Sequence, residues 1–150
     1  DRYWTLEATN FYFDDLPSPK YILYVPNSGH GLEDRQRVIQ TLVGFFNGVV
    51  GRSALPRVEW SWEETDDGKR LVVEAAPAPV KALIWTSEAT TKDFRESRWS
   101  SAELPLANGR GSFLLQPAEK GFRAAFAELF FQMGKMTYSF STQVQVVGKN

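Results

Sequence analysis

The change of hydrophobic period at Pro56 constrains this chain more than any other feature. Upstream of it, apolar residues recur at three- and four-residue spacing; downstream they alternate. The first pattern belongs to helices with one apolar stripe, the second to strands with one buried face. One switch therefore predicts a mixed α and β chain, with a helical first third joined to a β-rich remainder.

In the first third, Trp4, Ala8, Phe11 and Tyr12 predict a helix over 4–15, bounded by Pro17 and Pro19. "KYILYV", residues 20–25, is a short apolar run rich in aromatic and branched side chains. That is the pattern of a strand covered on both faces, as in a parallel sheet. Val38, Ile39, Leu42, Val43, Phe46 and Val50 then mark one face of a second helix. Glu33 and Asp34 stand at its positive end, and Gly48 and Gly51 lie near its stop. The order helix, strand, turn, helix fits the C-terminal corner of an α/β-hydrolase-like sheet.

Beyond Pro56, Val58, Trp60 and Trp62 alternate with Glu59, Ser61 and Glu63, and "DDGK" predicts a hairpin into "RLVVEAA". Asn108-Gly109 predicts a second hairpin between "RESRWSSAELPL" and "GSFLLQP". Residues 136–146 alternate so regularly that they predict one long strand. Residues 122–132 fit a helix by spacing, yet the "QMGK" turn ties them closely to that strand. About seven short strands at regular spacing point to an antiparallel, immunoglobulin-like β-sandwich. The expected domains are 1–51, a fragment of an α/β-hydrolase-like domain, and 56–150, the sandwich.

Composition narrows the partners. Seventeen basic and eighteen acidic side chains leave a net charge of -1 with no basic block. Nothing suggests a footprint for nucleic acid or an anionic membrane. Without cysteine there are no disulfides, thiolate zinc sites or cysteine nucleophiles. One histidine and scattered carboxylates do not make a metal cluster, and no cofactor is expected. No apolar run is long enough to span a bilayer. Beginning at Asp1 rather than Met, the chain reads as a processed product or a piece of a longer protein. A strand at 20–25 without parallel neighbours leaves an open edge, on which two copies could self-associate.

The lone histidine, His30, lies in "YVPNSGHGL". A histidine among Asn, Ser and Gly is by itself most simply a turn residue. Its place one helix and one strand after Asp1 suggests more. In α/β-hydrolases the acid and then the histidine follow the nucleophile along the chain, on loops at successive strand ends. A carboxylate bonded to one ring nitrogen leaves the other free to take a hydroxyl proton. Asp14 and Asp15 lie on the wrong side of the helix for that role. Ser28 reads as a turn residue, and no G-x-S-x-G occurs, so a nucleophile must precede Asp1. Trp60 and Trp62 read as core. Trp85 and Trp99 are less determined; exposed beside another aromatic, either would support sugar or peptide binding.

"DRYWTLEATNFYFDDLPSPKYILYVPNSGHGL" carries more than periodicity. Asp1-Arg2-Tyr3-Trp4, followed by Val-Pro-Asn-x-Gly-His, resembles the signature near the end of the catalytic domain in the PhoPQ-activated pathogenicity-related protein family. "VKALIWTSEATTKDFR", "KGFRAAFAELFF" and "YSFSTQVQVV" resemble that family's C-terminal β domain, which favours strand over helix for 122–132. The resemblance implies an exported or envelope-associated serine-hydrolase-like protein acting on an ester or amide of a small-molecule or peptide substrate. It places Asp1 as the acid and His30 as the base. It also leaves room for a non-catalytic binding or secreted signalling module, linked to virulence or antimicrobial-peptide resistance.

Overall fold

The structure is a computed structural model that describes residues 3–148. Its described residues form a 3-10 turn (Ala8–Phe11), one α-helix, α1 (Arg35–Val49), and eight strands. The strands are β1 (Arg57–Thr65), β2 (Gly68–Ala76), β3 (Lys81–Ala89), β4 (Ser100–Glu103), β5 (Arg110–Leu115), β6 (Phe122–Met133), β7 (Met136–Ser141) and β8 (Gln145–Gly148). They make two sheets, β1-β2-β5 and β4-β3-β6-β7, with β8 also paired to β6; every ladder is antiparallel.

The strand readings from 57 onward hold, with two changes of detail. Thr65 pairs with Gly68 across the Asp66-Asp67 loop, as expected for a hairpin. At Asn108-Gly109 both residues have positive φ, 51° and 81°, the conformation of a tight two-residue turn. Its arms diverge, however. β4 pairs with β3, while β5 pairs with β2, so this turn carries the chain from one sheet to the other. Residues 122–132 are strand, as the resemblance implies. The long strand over 136–146 is interrupted: Thr142, Gln143 and Val144 stand opposite only Phe126 and Ala127. This extra residue is a bulge that shifts the alternation, and Val147 rather than Val146 reaches the shared core. The Thr142 hydroxyl accepts the Ala127 N–H at 3.0 Å, keeping the buried amide satisfied across the break.

Leu71 and Val73 from one sheet and Ile84, Leu129, Phe131 and Phe140 from the other form one core between the sheets. Trp60 and Trp62 pack against it, as their alternation predicts. A second, smaller core of Phe94, Ala124, Phe126 and Val144 lies on the opposite face of the larger sheet, packed by Leu6, Tyr24, Trp85 and Trp99.

The first third departs from expectation in three ways. The helix over 4–15 is reduced to the 3-10 turn with irregular turns on either side. Four residues close too few backbone bonds to sustain a helix without a packed face, and this turn has no buried residue. The strand over 20–25 is not in a parallel sheet. It makes a single antiparallel bridge, Ile22 to Ser141, at the outer edge of β7.

The second helix forms as α1, but its buried face is not the apolar stripe. Thr41 and Gly44 are the buried residues, whereas Ile39, Leu42, Phe46 and Val49 are exposed. A Cβ on Gly44 would stand 2.6 Å from the Tyr138 ring. Only glycine allows this approach, so the small-residue face of α1 lies on β7. The Thr41 hydroxyl donates to the Ser139 carbonyl at 3.1 Å and accepts the Ser139 N–H at 3.3 Å. Together with Ile22, α1 covers the outer edge of β7, satisfying backbone groups that would otherwise be open.

Candidate functional site

His30 sits on the loop between Ile22 and α1, and the loop's conformation is written in its small residues. Asn27 takes φ +56°, which asparagine tolerates better than most side chains. Ser28 donates its hydroxyl to Glu33 Oε2 at 2.6 Å and accepts the Glu33 N–H at 2.8 Å; the Gly29 N–H donates to the same carboxylate at 2.7 Å. These bonds, the Ser28 hydroxyl foremost, hold the Glu33 carboxyl below its usual range. Ser28 is thus occupied in shaping the turn, as its sequence setting suggests.

The loop stands over an open cleft of about 1600 Å³. One wall is the N-terminal segment, with Tyr3, Trp4, Phe11 and Tyr12; the opposite wall is the 92–99 connection between β3 and β4. Tyr24 and Phe126 line its inner part, their rings 4.9 Å apart. Burial pushes the Tyr24 phenol up from its ordinary range. His30 is exposed at the rim, its ring edge-on to Tyr3 with centroids 4.8 Å apart. On the far wall Asp93 pairs with Arg95, which pushes its carboxyl down to about 2.

Of the two site residues read from the sequence, His30 lines the cleft, and Asp1 lies outside the described residues. Asp14 and Asp15 are exposed and do not line the cleft. Trp85 and Trp99 are not the exposed tryptophans. Both are half-buried against Phe126, because each has a ring partner in the second core. The exposed one is Trp4, at 70%.

Sequence reasoning missed Glu128. It is fully buried on β6, yet charged, and four bonds converge on it. Arg37 Nη1 donates to both its oxygens at 3.1 and 3.0 Å, Trp85 Nε1 donates at 2.7 Å, and the Ser139 hydroxyl donates at 2.6 Å. A carboxylate at zero exposure persists only when paired and hydrogen-bonded in this way. Its signal was present: Glu128 is the one acid in an otherwise apolar run, "AAFAELFF". Among the described residues no three His, Asp or Glu side chains gather as metal ligands would. No helix there is long and apolar enough to cross a membrane.

Fold and cleft together define a mixed α/β protein that presents its single histidine on a braced loop beside an aromatic cleft. The chain belongs to the PhoPQ-activated pathogenicity-related protein family, whose model matches residues 1–95. The match takes in the His30 loop, α1, β1 to β3 and the start of the far cleft wall. No curated protein and no solved structure matches the chain significantly.

Proposed function

We propose that this chain is the C-terminal part of an exported, serine-hydrolase-like protein that cleaves an ester or amide. His30 is its base, Asp1 its orienting acid, and the nucleophile is supplied by a longer parent polypeptide. The observation that carries the reading is the exposure of His30 on a shaped loop at the rim of the cleft. An imidazole there can take a proton from a hydroxyl brought to the cleft, which a histidine buried in the core could not. The uncovered apolar stripe of α1 supports the same reading, since helices of an α/β-hydrolase sheet bury an apolar face against that sheet. The chain alone is expected to be inactive.

The test is to express the full-length parent and label it with a fluorophosphonate probe. His30→Ala is expected to abolish labelling and ester hydrolysis together. Retention of both in that variant overturns the assignment.

A second reading has its own support: Tyr3, Trp4, Phe11 and Tyr12 are all exposed along one wall of the cleft. Exposed aromatics grouped in a cleft suit stacking against a sugar ring or an aromatic peptide side chain. In that case the chain is a binding or signalling module, and Trp4→Ala would abolish ligand-induced fluorescence changes while His30→Ala left them intact.

A further inference from the structure

The His30 loop is tied at both ends, to the 92–99 connection and to the larger sheet, by bonds of different kinds. At the near end, the Asn27 side chain pairs with the backbone of Trp99. Its Nδ2 donates to the Trp99 carbonyl at 2.9 Å, and its Oδ1 accepts the Trp99 N–H at 2.8 Å. An amide is suited to this because it presents a donor and an acceptor at once. At the far end, Asp34 caps α1 by accepting the Arg37 N–H at 3.2 Å, and its other oxygen takes Arg37 Nε at 2.9 Å. Arg37 continues to Glu128, in the middle of β6. Between the two ties, Ser28 and Glu33 lock the loop onto itself. His30 is three residues from Asn27 and four from Asp34.

We propose that Asn27 and Glu128 are positioning residues for His30, and that the β unit is the frame that sets the imidazole at the cleft rim. Asn27 acts through Trp99, and Glu128 through Arg37 and Asp34. The proposal rests on reading His30 as the functional group of the site, but its test does not require activity.

Because the chain has one histidine, its imidazole Cε1–H proton resonance reports on the loop without ambiguity. The nearby Tyr3 ring gives that resonance a ring-current signature. In Asn27→Ala we expect amide exchange at residues 28–33 to rise about tenfold, as local opening costs less. The His30 signal should move toward that of free imidazole, while the urea midpoint of the whole chain stays in place. Asn27→Asp retains the acceptor for the Trp99 N–H and should restore part of the signature. Arg37→Met combined with Glu128→Gln removes the second tie without leaving a buried charge unpaired, and should produce the same changes. If that double variant fails to fold, Asp34→Ala takes its place, since it cuts the same tie between Arg37 and the loop while leaving Glu128 paired with Arg37. A His30 signal and loop exchange unchanged in folded Asn27→Ala overturn the role of Asn27, and the same result in the folded second-tie variant overturns that of Glu128. Failure of the hydrolase reading is seen separately, in the fluorophosphonate labelling.

Discussion

Glu33 shows how much of the site depends on single side chains. Its carboxylate accepts from Ser28 and Gly29, and those bonds lower its pKa below the ordinary value of 4.5. A carboxyl lowered in the folded state contributes stability above its unfolded pKa and loses it as pH falls through the folded one. The loop should therefore remain locked at pH 5 and open only in stronger acid. Following the Gly29 amide resonance against pH checks this. The expected midpoint lies below 4.5, and Glu33→Gln should abolish the titration. At the same scale, the sequence showed the turn around His30 but not what Asn27 does in it. Pro26-Asn27 announces a bend from composition alone, whereas its bond to Trp99 joins residues 72 apart. Glu128 was hidden for a related reason. Its three donors, Arg37, Trp85 and Ser139, come from α1, β3 and β7, none of them adjacent in sequence.

Elements tell a different story, since α1 was legible as a helix but not in its orientation. Apolar spacing from Val38 to Val50 indicates a stripe, and the usual inference is that the stripe is buried. Here the opposite face is on the sheet, because Gly44 and Thr41 permit close approach and hydrogen bonding at the β7 edge. The two faces should respond differently to substitution. Thr41→Val keeps the side-chain shape but leaves the Ser139 N–H and carbonyl without their partner. It should cost about 2 kcal/mol. Phe46→Ser, on the exposed stripe at 60% exposure, should change the stability of this chain by no more than about 0.5 kcal/mol. Urea denaturation of the two variants makes the comparison; equal losses would place the stripe, rather than the glycine face, on the sheet.

At the scale of the whole molecule, the two sheets share one core, so they should unfold together. Leu71 on β2 is completely buried among residues of both sheets. Leu71→Ala should cost about 2–5 kcal/mol through lost burial and a residual cavity. The loss should appear equally in tryptophan fluorescence, which samples β1 and β3, and in amide exchange along β6. Separate midpoints for the two probes would show that the sheets are independent units.

What the sequence determined by itself was the run of strands from 57 onward, the tight turns between them, the existence of α1 and the family of the chain. These follow from period-two alternation, from Asp, Asn and Gly at turn positions, from a contiguous signature around His30 and, for 122–132, from the family resemblance rather than the spacing. Tertiary structure alone decided which face of α1 is buried, that residues 20–25 meet β7 antiparallel through one bridge, and that residues 142–144 bulge. It also decided that Asn27 bonds to Trp99 and that Arg37 reaches Glu128. The reason is physical: a period records which side chains share a face, but not which distant backbone groups need partners. At the β7 edge those groups are met by Thr41 and Ile22, which sets how α1 and Ile22 lie against the sheet.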